Sequence, residues 1–127
     1  MSFECYLEAV GIDYVTIELH ITGFVAILTA AKAGDSAAET TAETAAYANA
    51  QDIADFLAKT NPNWPQATMR QMMKSHIDQT LVYATDQLQG KFADSISSYG
   101  QAEAHMLQMA DMLSAGIIAQ FPGKFTK

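Results

Sequence analysis

Apolar residues recur at steps of three and four along most of the chain, which is the spacing of one face of an α-helix. The first such stripe predicts a helix over residues 6–32, and it consists of Leu7, Val10, Tyr14, Ile17, Ile21, Phe24 and Leu28. The segment from Tyr14 to Ile17 also favours a strand, because its residues are mostly β-branched or aromatic. The helical spacing extends over seven positions and outweighs that preference.

Three further helices are predicted, over residues 37–59, 65–89 and 92–120. The first of these is rich in alanine, which favours helix and lets neighbouring helices approach closely. The other two carry the apolar stripes Met69, Met72, Met73, Ile77, Leu81, Ala84 and Leu88, and Ile96, Tyr99, Met106, Met109, Leu113 and Ile117. Breaks are predicted at Gly34-Asp35, from Asn61 to Pro65 and at Gly90, because glycine and proline end helices.

This order of elements predicts an all-α fold, an antiparallel four-helix bundle. Consecutive long helices joined by short connections are usually antiparallel neighbours. The sequence has no strand-turn-strand signal and no low-complexity tract. We therefore expect residues 1–127 to form a single helical-bundle domain.

The charge of the chain excludes two classes of partner. Only seven lysines and arginines are present among 127 residues, and the formal net charge is −7. Without a basic patch to neutralise phosphates, we expect neither nucleic acid nor an anionic membrane surface as a partner.

We expect the protein to be cytoplasmic. The uncharged stretch from Leu19 to Ala31 is shorter than the ~20 apolar residues of a membrane-spanning helix. Acidic residues interrupt the segment before it, unlike in a signal peptide. The single cysteine, Cys5, cannot form an intramolecular disulfide and is interpreted as a small apolar residue, with an intermolecular disulfide or a reactive thiol as the alternative.

A family resemblance extends over residues 19–127. It is carried by His20-Ile21, Ala30 to Asp35, Tyr47 to Ala54, Asn61 to Pro65, Met72 to His76 with Thr80, and the run HMLQMADMLSAGIIAQFPGKF from His105 to Phe125. In these segments the chain resembles an uncharacterised bacterial family of small all-helical proteins built from helical hairpins. Members often carry names such as glycosyltransferase or acetylglutamate kinase. Neither name fits this chain, which lacks alternating strands and helices and a glycine-rich phosphate loop. The resemblance implies a helical bundle and no particular reaction.

The chain departs from that family in two places. Members usually carry a further helical hairpin upstream, whereas residues 1–18 here do not resemble family sequence. Members also tend to have an acidic residue before the first histidine, where this chain has Leu19. We expect the missing hairpin to leave apolar surface open.

Three histidines, His20, His76 and His105, lie in three different predicted helices, each beside an apolar stripe. Imidazoles from separate helices of one bundle could converge on a transition metal. Six methionines accompany them, and thioether with imidazole suits copper or a haem: Met69, Met72, Met73, Met106, Met109 and Met112. The competing interpretation is that the histidines are hydrogen-bonded structural residues and the methionines fill the core.

Two polar residues, Asn49 and Thr80, fall near the apolar stripes of the second and third helices. Buried polar groups need partners. We expect Asn49 to bond His76 or Thr80 and so fix the register of the helices, with ligand binding as the alternative.

The first helix suggests self-association. Between Ile21 and Ala31 its apolar residues cover every face, and a helix that is apolar all round is buried all round. The expected partner is a second copy, packed on Phe24, Val25, Ile27 and Leu28. No nucleophile elbow, P-loop or zinc-protease motif is present, so a non-enzymatic, self-associating protein is the first hypothesis. The alternative is a small module that binds a metal or haem.

Overall fold

The computed structural model describes residues 14–125 and consists of helices. They are α1 (Tyr14–Ala33), α2 (Ser36–Thr60), α3 (Gln66–Leu88), α4 (Phe92–Gln120) and the short α5 (Pro122–Phe125). The all-α prediction is confirmed, and the ends of α2, α3 and α4 agree with the predicted ends to within one residue. The predicted start of the first helix at residue 6 lies outside the described residues, as does Cys5.

The connections between helices form where the sequence places glycine and proline. Gly34 and Gly90 adopt the left-handed conformation, with φ of 71° and 74°. That conformation suits glycine because it has no Cβ to clash. Asp35 then caps α2 by accepting a hydrogen bond from the Ala38 amide at 3.0 Å. Pro65 stands one position before α3 rather than in its first turn, as the cap residue with extended backbone.

The four long helices pack in sequence, α1 on α2, α2 on α3 and α3 on α4, in an antiparallel arrangement. Among the described residues α1 and α4 form no packed interface with each other. In a closed four-helix bundle the first and last helices would be neighbours. The described part of the bundle is therefore open along one side, between α1 and α4.

Small side chains allow α4 to approach the rest of the bundle closely. Its buried residues are Ser95, Ala102 and Gly116, which lie seven or fourteen residues apart on one face. The Ser95 hydroxyl donates to the Tyr83 carbonyl of α3 at 2.9 Å. On the other side of α3, α2 contributes Ala50, Ile53 and Ala54 to the core, two of which are alanines. Large side chains therefore fill the core mainly from α3.

The core is centred on α3 and on the loop before it. Met69, Met73 and Ile77 are buried there, together with Trp64, which is only 8% exposed. The Trp64 indole lies directly over Gly116 of α4, where a Cβ atom would overlap the ring. The segment from Asn61 to Pro65, predicted only as a break, thus supplies the largest side chain of the core.

Part of the apolar stripe predicted for the fourth helix does not face the core. Ile96, Tyr99, Met106 and Ile117 belong to the stripe predicted to face the core, but they are 73%, 55%, 42% and 40% exposed. Leu88 of α3 is also exposed. Their apolar face borders the open side of the bundle, because α1 does not close over it.

Gly116→Ala should destabilise the protein by about 1–3 kcal/mol, because the new methyl group overpacks the space that holds the Trp64 indole. Gly100→Ala is the matched control on the same helix. A Cβ there meets nothing within 4 Å, so the change should stabilise the helix by about 0.5–1 kcal/mol. Urea unfolding measures both variants. Equal effects of the two substitutions would contradict the packing of Trp64 on Gly116.

Candidate functional site

The open side of the bundle contains a groove whose floor is α3 and whose walls are α1 and α4. One cavity of about 450 Å³ touches all three helices, with Leu28 on α1, Tyr83 and Leu88 on α3, and Ile96 and Tyr99 on α4. A second cavity of about 370 Å³ continues it between α1 and α3. Together they form the open groove, which is almost entirely apolar.

Histidines stand at one end of the open groove. The ring centroids of His20 on α1 and His76 on α3 are 5.6 Å apart, and both rings line the second cavity. The Phe24 ring packs against both of them, with centroids 5.9 Å from His20 and 6.4 Å from His76. The structure thus brings together two of the three histidines that the sequence singled out.

Hydrogen bonds fix the proton positions of His20. The Asn49 side chain donates from Nδ2 to the Thr16 carbonyl at 2.8 Å, so its Oδ1 faces His20 at 3.2 Å. An amide oxygen can only accept, which means that His20 carries its proton on Nδ1. When His20 is neutral, its Nε2 is therefore a lone-pair acceptor. The expected bond from Asn49 to His76 or Thr80 is wrong: Asn49 joins α1 to α2, and Thr80 donates to the His76 carbonyl.

The third histidine, His105, does not line the open groove and instead bonds the backbone of a neighbouring helix. His105 on α4 lies 3.1 Å through its Nε2 from the carbonyl oxygen of Met72 on α3. A carbonyl oxygen only accepts, so this nitrogen carries the proton. His105 thus ties α4 to α3, while His20 and Asn49 tie α1 to α2. Each bond satisfies a polar group between two packed helices, which is a structural role.

His76 favours the neutral state. Partial burial lowers the pKa of its imidazole below the usual value, and the positive charges that His20 and His105 would carry lower it further. The described neighbours supply no carboxylate that would offset this effect. Protonation would therefore place a poorly solvated charge between α1, α3 and α4.

The metal hypothesis finds little support in this geometry. Among residues 14–125, no group of three or more histidine, cysteine, aspartate or glutamate side chains is placed to hold a metal ion. The Nε2 of His105 is already engaged by Met72. Met69 and Met73 are buried in the core, and Met109 and Met112 pack against it. These four methionines therefore serve packing, whereas Met106 is 42% exposed.

The four residues predicted to form an interface divide into three groups. Val25 is 60% exposed and faces outward. Phe24 and Leu28 are half-buried and line the open groove. Ile27 is 2% exposed and belongs to the core of the subunit, so it does not contribute to an external surface. A residue outside the predicted set, Ile21, is 65% exposed beside Val25.

A polar cluster between α2 and α3 was not anticipated from the sequence. The Tyr47 hydroxyl donates to Asp78 at 2.6 Å, and Lys74 donates to the other oxygen of Asp78 at 2.7 Å. Burial, together with Asp78, raises the pKa of Tyr47 to about 12. The four-residue spacing of Lys74 and Asp78 was a readable signal of an ion pair on one helix. This pair is exposed, so it adds little stability.

By length and composition alone, one described helix is apolar enough to cross a membrane. The segment Thr16–Ala33 has a mean hydropathy of 1.2, and only 11% of it is buried in the bundle. Core helices and signal sequences can have the same composition. Its N-terminal part includes Glu18, and Lys32 lies near its end.

Comparison of the chain with protein-family models, with curated proteins and with solved structures finds no match. The resemblance to a bacterial family of helical-hairpin proteins therefore stays a prediction from the sequence.

The stability of the protein should fall as the pH drops below about 6.5, the usual pKa of histidine. The unfolded chain binds a proton at His76 before the folded chain does, because the folded pKa is lowered. The free energy of unfolding therefore declines until the pH reaches the folded pKa, below which the decline from this group stops. Asp55 and Asp78 titrate below this window, because their pKa values are lowered from 3.8.

Urea unfolding at about pH 7.5 and pH 5.5 tests this expectation. His76→Phe keeps a planar ring and removes the titration, so the variant should lose less stability between the two pH values than the unchanged protein. His76→Gln provides a second non-titrating side chain that remains polar. An identical pH dependence in all three proteins would show that His76 does not contribute.

Proposed function

We propose that this is a non-enzymatic, cytoplasmic protein that self-associates through the open side of its bundle. The surface concerned is the apolar border of the open groove, formed by Ile21 and Val25 on α1 and by Ile96 and Tyr99 on α4. We call it the apolar rim. A second copy of the chain is the partner that this proposal requires.

The observation that carries the proposal is the distribution of large apolar side chains. Within residues 14–125, fourteen of them are exposed and six are buried: Ile27, Ile53, Trp64, Met69, Met73 and Ile77. Single exposed apolar residues are ordinary on soluble proteins, but a contiguous set marks an interaction site. Seven of the fourteen lie on α4, and three lie on α1. Both helices border the same side of α3.

A twofold axis would let one apolar rim pack against another. Such an interface is self-complementary, because each surface patch meets its own copy. Fully burying one large aliphatic side chain contributes about 1.5–3 kcal/mol. Two or three such residues per subunit, doubled by symmetry, can offset the loss of translational and rotational freedom on association. The net charge of −7 on each copy opposes association, so added salt should strengthen it.

The cytoplasmic location is supported by the way α1 is built. Its uncharged stretch from Leu19 to Ala31 spans about 20 Å as a helix, less than the ~30 Å hydrocarbon core of a bilayer. Its polar residue His20 is bonded to Asn49 of α2. The exposed apolar side chains of α1 are thus better matched to a protein surface than to lipid.

Val25→Glu and Ile96→Glu should each produce monomers, because a carboxylate in the interface would be desolvated without a partner. Thr22→Glu is the matched control, since Thr22 is exposed on α1 away from the groove and the charge change is the same. Sedimentation velocity at tens of micromolar gives the oligomeric state of each protein. A monomer for the unchanged protein under these conditions would refute the proposal. So would glutamate variants that associate as well as the control does.

A further inference from the structure

The open groove has the dimensions of a small-molecule site. Its two cavities share Leu28, Tyr83 and Ala84, so they form one continuous depression with volumes of about 450 and 370 Å³ in its two parts. Pockets that bind small molecules typically measure ~300–1,000 Å³. Along α3 the groove runs from His76 to Leu88, about 18 Å at the helical rise of 1.5 Å per residue. Its shape is elongated, following one helix between two others.

Histidines line only one end of the open groove. His20, His76 and Thr80 stand there, and leucine, isoleucine, alanine and tyrosine side chains dominate the rest, where Gln87 and Ser95 are the other polar residues. No lysine, arginine, aspartate or glutamate lines either cavity. Such walls exclude a phosphate-rich or multiply charged ligand, which would lose its hydration without receiving countercharges. They suit a long apolar chain with one polar end.

The histidine end can bond a weakly acidic head. Since Asn49 fixes the proton of His20 on Nδ1, the Nε2 of a neutral His20 accepts a hydrogen bond, and it has no partner among the described residues. A protonated carboxyl group donates to that nitrogen. A carboxylate instead accepts from it once the imidazole is protonated. The head group and His20 therefore remain hydrogen-bonded whether the carboxyl group or the imidazole carries the proton. A negatively charged head would also offset the repulsion between His76 and the positive charges of His20 and His105.

We propose that the open groove binds an unbranched long-chain carboxylic acid, with its head at His20 and His76 and its chain along Tyr83, Ala84 and Leu88. The ligand lies on the floor of the groove, whereas self-association is proposed for the apolar rim. Val25 of the rim lines neither cavity. Ile21, Ile96 and Tyr99 of the rim also line the cavities, so the two proposals are separated by substituting Val25.

The chain-binding part is tested with palmitate and octanoate, titrated below the concentrations at which they form micelles and followed by calorimetry. Each fully buried methylene group contributes about fourfold to affinity, so palmitate should bind at least about a hundredfold more tightly than octanoate even in a half-open groove. Equal affinity would overturn the proposal, because the chain would not lie along the groove.

Ala84→Phe tests the location of the chain, since Ala84 lines both cavities and a phenyl ring there fills the floor. Palmitate affinity should drop by about tenfold or more. Val82→Phe is the matched control, because Val82 is 52% exposed on α3 and lines neither of these cavities. Circular dichroism of both variants checks that they fold. Unchanged binding by a folded Ala84→Phe protein would place the ligand elsewhere and overturn the assignment.

The head group is tested with hexadecyltrimethylammonium, which has a chain as long as that of palmitate but cannot hydrogen-bond an imidazole. Nonspecific attraction to a protein of net charge −7 would favour this cation. The proposal requires palmitate to bind more tightly, and to shift the imidazole NMR signals of His20 and His76 more than that of His105. Tighter binding of the cation, or no shift at His20 and His76, would overturn it.

Val25→Glu separates the two proposals. If the site belongs to a single chain, this variant should bind palmitate within about twofold of the unchanged protein, whether or not it has become a monomer. Loss of palmitate binding in Val25→Glu, with retention in Thr22→Glu, would mean that the ligand needs the apolar rim, and it would overturn the assignment to the groove floor.

Discussion

Close packing on both sides of α3 is the constraint on which the rest of the structure depends. The helix supplies Met69, Met73 and Ile77 to the core, and its two neighbours meet it largely with alanine, serine and glycine. Small residues let α2 and α4 approach until the side chains of α3 and Trp64 fill the space between them. Gly116 is the tightest of these contacts, because the Trp64 indole occupies the position of its missing side chain.

This arrangement explains why the bundle is open. The inner helices α2 and α3 are each covered on two sides, whereas α1 and α4 are each covered on one. The buried line of α4 contains small residues, so its large apolar residues point along the neighbouring face, toward the space that α1 does not fill. The open groove and the apolar rim are therefore two consequences of the same packing.

Helical periodicity was sufficient to predict the elements, because it reports which residues share a face of one helix. The limits of α2, α3 and α4 and the two glycine turns followed from it together with the positions of glycine and proline. Periodicity does not report which neighbour covers a face. For that reason Ile96 and Tyr99 were expected in the core, and Ile27 was placed in an interface although it points inward. The convergence of His20 and His76 was anticipated as a possibility, but their spacing depends on how α1 and α3 are placed, and the bond by which Asn49 fixes α1 on α2 joins residues 29 apart in the chain.

At the histidine end of the open groove, partial burial and the lack of a neighbouring carboxylate restrict the kinds of ligand that can bind. His20 and His76 meet at this end, His20 is bonded to an amide, and no carboxylate neighbours His76 among the described groups. Such an environment disfavours the charged state of His76 and offers no set of negative ligands to a cation. A weak acid is the complementary partner, because its O–H group donates a hydrogen bond to a neutral imidazole, or its carboxylate pairs with a charged one. The apolar walls beyond the histidines favour a ligand whose remaining atoms are hydrocarbon. The acidic head would then bind at the histidines, and the hydrocarbon chain would pack along the apolar walls.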